Sequence, residues 1–118
     1  MSERAMHEYS IVQAMFDRID QVARERRATA VRRVAVRIGR AAGLDVSLFR
    51  SAFELFRIRT ICDGARLDVE EVAARWICPV GHGALPEEQP LVCEVCGRPA
   101  RLEAGDEITL MKLDLEVA

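Results

Sequence analysis

The first apolar pattern along the chain has helical spacing. It runs from Ser10 to Arg27, and its apolar positions recur at i, i+4, i+8 and i+11. These residues therefore share one face of a helix, with polar residues on the other face. They are Ile11, Met15, Ile19 and Val22. The pattern predicts an amphipathic helix that packs against a core.

After Thr29 the apolar period falls from a helical value to two. Val34, Val36 and Ile38 alternate with polar or small residues, which is typical of a strand with one buried and one solvated face. Gly39 then marks the end of this strand.

A second helix is predicted after Gly43, with either Asp45 or Ser47 as its N-cap. Its apolar residues again have helical spacing: Phe49, Ala52, Phe53 and Phe56. A stripe of this kind belongs more often to a core than to a ligand pocket. We therefore expect the two helices to share a core with the sheet.

Two further strands are predicted in the second half. One follows the Asp63-Gly64 turn and runs from Leu67 to Ile77, into a region rich in cysteine. The other runs from Ile108 to Val117, and its apolar alternation slips after Leu110. The slip predicts either a β-bulge or a stretch that is buried on both faces.

Four potential metal ligands lie between these last two strands: Cys78, His82, Cys93 and Cys96. The pair Cys93 and Cys96, followed by Gly97, has the spacing of a zinc knuckle. The first half is less regular, because Gly81 stands where a second paired cysteine would be and His82 follows it. We expect a Cys₃His zinc site, with three cysteines and an exogenous ligand as the alternative.

Composition explains why this region needs a metal. The chain has 118 residues, enough for one domain or for a core with a smaller metal-bound lobe. Few large apolar residues lie between Ile77 and Ala104, so a metal must replace a core there. We expect an α+β fold in which residues 1–76 and 105–118 form one domain and residues 77–104 form an inserted zinc-binding domain.

The other properties of the chain exclude several classes of protein. No apolar run is long enough for a membrane span or a signal peptide, so we expect a cytoplasmic protein with reduced cysteines rather than a disulfide-bonded secreted one. A net charge of −2 does not suggest a nucleic-acid partner. The only histidines are His7 and His82, and neither suggests acid/base or nucleophilic catalysis. We therefore expect a protein that is not an enzyme.

Arginines cluster locally, opposed only by Glu25: Arg24, Arg26, Arg27, Arg32, Arg33, Arg37 and Arg40. Such a cluster could dock an acidic partner or a phosphate. We favour a solvated helix end and strand face instead, since Lys112 is the only lysine and the chain uses arginine throughout.

Several separated segments resemble the HypA/HybF family. They are Met6-His7-Glu8-Tyr9-Ser10-Ile11-Val12, Val34-Ala35-Val36-Arg37-Ile38-Gly39, Ser47-Leu48-Phe49-Arg50-Ser51-Ala52-Phe53-Glu54 and Gly105-Asp106-Glu107-Ile108. The resemblance covers the chain from Met6 to its end. It implies a nickel metallochaperone for [NiFe]-hydrogenase maturation, with two helices on a three-stranded sheet and a zinc domain.

The resemblance also implies a ligand set and partners. The nickel ligands would be Met6, His7 and Glu8. The partners would be a GTPase of the HypB type and the hydrogenase large-subunit precursor, and the chain itself would be a monomer or a homodimer. A free α-amine, a deprotonated histidine amide and an imidazole form fused chelate rings that suit Ni²⁺ better than Zn²⁺.

This chain departs from the family pattern at two places. Five residues precede Met6, so the residue before His7 offers an amide instead of a free amine. Either the native chain starts at Met6 or the nickel site is altered. In the zinc region the family usually has two pairs of cysteines, whereas this chain has Gly81 and His82. We expect Cys62 to be a structural residue, not the fourth zinc ligand.

A second function remains open on these residues. A zinc-ribbon adaptor that binds nucleic acid or protein would use the arginine cluster as its contact surface, and His7 would have no special role.

Overall fold

The computed structural model describes residues 3–86 and 91–118, with the side chains of residues 3–5 outside the description. Within these limits the chain forms two α-helices, a short 3₁₀-helix at Arg40–Ala42 and two three-stranded sheets. The elements are α1 Glu3–Glu25, β1 Ala28–Gly39, α2 Val46–Phe56, β2 Arg66–Val72, β3 Arg75–Ile77, β4 Ala84–Leu85, β5 Arg101–Ala104 and β6 Ile108–Val117. This architecture confirms the predicted fold class of two helices on a three-stranded sheet.

The larger sheet has the order β2-β1-β6. β1 pairs in parallel with β2 and antiparallel with β6, and Val36 lies opposite both Val69 and Leu110. A parallel pair needs a crossover connection, and α2 supplies it between β1 and β2. The smaller sheet, with the order β4-β3-β5, lies between β2 and β6 in the sequence.

The core lies between the two helices and the larger sheet. Phe49, Phe53 and Ile19 are fully buried, and the rings of Phe16 and Phe53 lie 5.4 Å apart. Burial of each large side chain stabilises the fold by about 1.5–3 kcal/mol. Cys62 is also fully buried in this core, which confirms it as a structural residue.

One member of the predicted core stripe lies at its border. Phe56 is 38% exposed, because it ends α2 beyond the last turn that faces the sheet. Its ring meets the ring of Tyr9 edge-on, with centroids 5.6 Å apart. The prediction that Phe56 belongs to the buried core is therefore wrong.

Local predictions for α2 and β6 are confirmed. The side chain of Asp45 caps α2 by accepting a hydrogen bond from Leu48 N at 3.1 Å. In β6 the partner of Ala35 is Lys112 while the partner of Val36 is Leu110, so Met111 is the extra residue of a β-bulge. The bulge keeps the apolar residues on both sides of the slip facing the core.

The predicted strand from Leu67 to Ile77 is interrupted, which corrects the expectation of one continuous strand. It ends at Val72 and resumes at Arg75 as part of the smaller sheet. The break lies where Gly105 crosses the chain: a Cβ on Gly105 would lie 2.6 Å from Ala74 Cα. The chain changes its partner at this break, since Val72 is the last residue paired with β1 and Arg75 is the first paired with β5.

The same crossing joins the smaller sheet to the end of β1. A Cβ on Gly39 would lie 2.0 Å from the carbonyl oxygen of Gly105. Ala41 N donates to Gly105 O and Gly39 N donates to Glu107 O, each at 2.8 Å. We call this arrangement of residues 39–41, 73–74 and 105–107 the glycine crossing.

The strand arginines of the charge cluster have carboxylate partners. Arg32 pairs with Glu116, and Arg37 Nε lies 3.3 Å from Glu70. Arg33 lies 3.2 Å from both Asp68 and Asp114. This arrangement agrees with a solvated strand face. In the described part of the chain, no helix is long and apolar enough to cross a membrane.

Candidate metal centre

Two tight turns carry the cysteines and the histidine. In the first, which follows β3, Gly81 N donates to Cys78 O at 3.2 Å and Cys78 N donates to Gly83 O at 3.0 Å. In the second, Gly97 N donates to Cys93 O at 2.7 Å. Gly81 and Gly97 have φ values of +96° and +72°, which glycine adopts without strain. Both turns therefore depend on glycine to direct their side chains inward.

The four predicted zinc ligands converge on one point. Their ligand atoms all lie within 4.8 Å of one another. Cys78 Sγ lies 3.4 Å from His82 Nδ1 and 3.6 Å from Cys96 Sγ, and Cys93 Sγ lies 3.6 Å from His82 Nδ1. A tetrahedral zinc ion would separate two sulfurs by about 3.8 Å, and a sulfur from a nitrogen by about 3.6 Å. The donor set and its spacing therefore fit tetrahedral Zn²⁺.

His82 presents Nδ1 to the thiols, a choice that spacing in the sequence could not reveal. The residue comes four positions after Cys78, and Gly81 turns the chain so that the imidazole faces the cluster. With Nδ1 as ligand, Nε2 carries the proton and is left for an outer hydrogen bond.

The thiols differ in acidity because the backbone surrounds them unequally. A hydrogen bond from the backbone of Arg98 lowers the pKa of Cys96 to about 6, against the opposing effect of burial. At Cys93 the amide of Cys96 lowers the pKa, but burial and the neighbouring thiols raise it more. The Cys96 side chain first, and then Cys78, raise the pKa of His82.

The predicted nickel residues lie on the first turns of α1. Met6 and His7 are each 55% exposed, whereas Glu8 is fully buried. His7 Nδ1 lies 3.4 Å from Glu8 Oε1, so the structure brings these two side chains together. Residues 1–2 lie outside the described part of the chain, and so do the side chains of residues 3–5. The effect of these five residues on the nickel site therefore stays a prediction.

Glu8 has a contact that the sequence did not predict. Its Oε1 accepts a hydrogen bond from Asp45 N at 3.1 Å, while Oε2 is buried and has no hydrogen-bond partner among the described residues. Glu8 therefore connects α1 to the residue that caps α2. Nothing in the spacing of apolar residues signals this contact, because the partners are far apart in the sequence.

The fold and the Cys₃His cluster together define a small metalloprotein, with a metal-binding lobe inserted into an α+β domain. The family model described as "Hydrogenase/urease nickel incorporation, metallochaperone, hypA" matches residues 6–115. The chain belongs to this family, which confirms the resemblance. Its members are metallochaperones and maturation factors, not catalytic enzymes.

Individual relatives agree with this assignment. The chain is 34% identical to the hydrogenase maturation factor HypA of Shewanella oneidensis over 115 residues, covering 96% of this chain and 98% of the relative. It is also 34% identical to HypA of Wolinella succinogenes over 114 residues, covering 94% and 96% of the two chains.

Solved structures show the same fold. The solution structure of the nickel metallochaperone HypA from Helicobacter pylori matches with a TM-score of 0.70 at 31% identity, over 94% of this chain and 98% of that one. A second solution structure of a HypA protein matches with a TM-score of 0.72 at 32% identity, over 96% and 98%.

Proposed function

We propose that this protein is a nickel metallochaperone that delivers Ni²⁺ to the precursor of the [NiFe]-hydrogenase large subunit. The observation that carries the proposal is the family match, which begins at Met6 and spans almost the whole chain. The exposure of His7 beside Met6 supports it, because a cargo site must be reachable by the protein that receives the ion.

The proposed nickel ligands are Met6, His7 and Glu8. In a helix the first amides have no carbonyl partner within the helix. A chain that begins at Met6 therefore leaves the amide of His7 without an intrahelical hydrogen bond. That amide can lose its proton and bind Ni²⁺ without breaking the helix, and the new α-amine completes the chelate.

The proposed zinc ligands are Cys78, His82, Cys93 and Cys96. Three thiolates and one imidazole form a closed structural site, with no open position for a substrate. Since no described residue between 75 and 104 belongs to the buried core cluster, the ion would supply the folding free energy that a core supplies elsewhere.

The domain division proposed from the sequence places residues 1–76 and 105–118 in the nickel domain and residues 77–104 in the zinc domain. The separate hydrogen bonding of the two sheets supports it. The same pairing favours a boundary in front of Arg75, since β3 pairs only with β4 and β5.

Delivery requires partners that the chain does not contain. We propose a GTPase of the HypB type and the hydrogenase precursor, both met in the cytoplasm. Any nucleotide hydrolysis belongs to the GTPase.

A calorimetric nickel titration tests the proposed function. The protein is prepared as a variant that begins at Met6, with the same variant carrying His7→Ala as the control. Tight binding of one nickel ion that the alanine variant loses supports delivery. Equal and weak binding by both, together with salt-sensitive binding of RNA or DNA, would instead support a zinc-ribbon adaptor.

A further inference from the structure

An open groove lies between the outer edge of β6 and the adjoining side of α1. β6 is an edge strand of its sheet, so one side of its backbone has no neighbouring strand among residues 3–86 and 91–118. Two hollows of about 370 and 350 Å³ lie between this edge and α1, and they share Arg18 and Leu110. We call them together the β6–α1 groove.

The floor of this groove is apolar and only partly covered. Ile11, Leu110 and Leu113 pack against the core but remain half-buried. Met111, at the bulge, is 46% exposed. A strand added to β6 would lie about 4.8 Å further out, beside the residues of β6 and α1 that line the two hollows. Alternate side chains of the added strand would then cover this apolar floor.

The rim of the groove is cationic. Arg18, Arg26 and Lys112 line it, and no carboxylate does. Lys112 is itself paired with a carboxylate, since its Nζ lies 3.7 Å from Asp114 Oδ1. An occupant with acidic side chains would therefore meet complementary charge chiefly at Arg18 and Arg26.

We propose that the β6–α1 groove binds an extended segment of a partner protein that alternates apolar and acidic residues. The segment would pair with the free edge of β6 as a fourth strand, which is a recurrent mode of peptide recognition. The proposal goes beyond nickel delivery, and it requires neither metal to be bound at this surface.

Two other occupants fit less well. If a second copy paired through β6 about a two-fold axis, Arg18 and Arg26 of the two copies would face one another, and like charges in contact disfavour association. Single-stranded nucleic acid is bound by cationic surfaces on which aromatic side chains stack the bases, and the groove has no aromatic lining.

The test uses the full zinc-loaded chain and a short synthetic peptide that alternates valine with glutamate. Binding is followed by fluorescence anisotropy, and backbone hydrogen exchange locates it. We expect saturable binding, with new protection of amides in β6. The matched peptide with lysine in place of glutamate should bind at least about tenfold more weakly.

Charge reversal on the protein supplies the second comparison. Arg18→Glu should weaken binding of the glutamate peptide about tenfold, and Lys112→Glu should act in the same direction. Arg24→Glu makes the same charge change on α1 but lies in a separate hollow beside Asp17 and Asp20, so it should change binding less than about twofold. Circular dichroism shows that each variant is folded.

Four results would overturn the proposal. They are the absence of saturable binding at about 1 mM peptide, equal binding of the lysine peptide, equal loss in the Arg18 and Arg24 variants, and protection outside β6. Protection of β6 by self-association without peptide would assign the groove to a second copy. A calorimetric nickel titration of the same variants separates this proposal from the proposed function, because loss of peptide binding should leave the nickel affinity unchanged.

Discussion

At the scale of single residues, Glu8 belongs both to the contact between the two helices and to the proposed nickel site. It follows the exposed His7, yet its own side chain is buried and accepts the amide proton of Asp45. The two acceptor oxygens are unequal, since within the described part of the chain Oε1 has a hydrogen-bond partner and Oε2 has none. Glu8 can therefore hold α1 against the start of α2, next to the nickel ligands that we propose, Met6 and His7.

Substitution of Glu8 separates these roles. Glu8→Gln keeps an acceptor for Asp45 N and should change the free energy of unfolding by less than about 1 kcal/mol. Glu8→Ala removes the acceptor of the Asp45 amide and leaves a cavity, which should cost about 2–4 kcal/mol. Urea unfolding measures both. If nickel affinity falls equally in the two variants while Gln preserves stability, the carboxylate is itself a nickel ligand.

Cys62 makes a prediction about pH. Burial, and then the charge of Asp20, raise the pKa of this thiol to about 11 from an ordinary value of 9.0. The unfolded chain therefore loses this proton near pH 9 while the folded protein keeps it, so stability should fall as the pH rises from about 9 to about 11.

Thermal unfolding across this pH range measures the effect. In Cys62→Ala the decline between pH 9 and 11 should become shallower than in the parent protein. An identical decline in both proteins would contradict the assignment. Iodoacetamide supplies a second readout, because the buried Cys62 thiol should resist alkylation at pH 8 after zinc has been removed, whereas the other three cysteines react.

At the scale of elements, the sequence predicted most of the fold because local patterns determine it. Helical spacing predicted both helices, and the slip after Leu110 predicted the bulge at Met111. The interruption of the strand at Ala73 was not predictable, because the chain there changes its partner from β1 to β5, which are distant in the sequence. The contact between Glu8 and Asp45 was missed for the same reason.

The metal cluster shows the same division between local and distant causes. Ligand spacing and the glycines of the turns predicted which four residues converge. Which nitrogen of His82 faces the thiols depends on the folded path of the chain, so it became visible only in the structure.

The glycine crossing can be tested by adding one methyl group. Gly105→Ala combines a φ of +98° with a Cβ 2.6 Å from Ala74 Cα, and we expect it to cost at least about 3 kcal/mol. Gly43→Ala is the matched control: its φ is +71° but nothing lies within 4 Å, so it should cost about 1–2 kcal/mol. Equal costs in urea unfolding would mean that the close approach contributes nothing.

At the scale of the whole molecule, the two sheets have different sources of stability. The larger sheet shares a core with both helices. The smaller sheet has short strands and the Cys₃His cluster instead. Loss of the metal should therefore destabilise the smaller sheet more than the larger sheet.

Removal of zinc with a chelator should make residues 75–104 exchange their amide hydrogens rapidly, while β1 and α2 remain protected. Cys93→Ala should have the same effect and should abolish zinc binding. Cys62→Ala is the control, because it removes a cysteine from the core and should leave one zinc ion per chain. Retention of zinc by Cys93→Ala, checked by elemental analysis, would contradict the assigned site.

We propose that one chain holds two metal ions at separate sites, one structural and one exchangeable. Native mass spectrometry tests it most directly, on zinc-loaded protein that begins at Met6 and has been mixed with one equivalent of nickel. We expect a species that carries one zinc and one nickel ion. The His7→Ala variant should retain the zinc ion and lose the nickel ion. Displacement of zinc by nickel, or no nickel bound at all, would contradict the proposal of two separate metal sites.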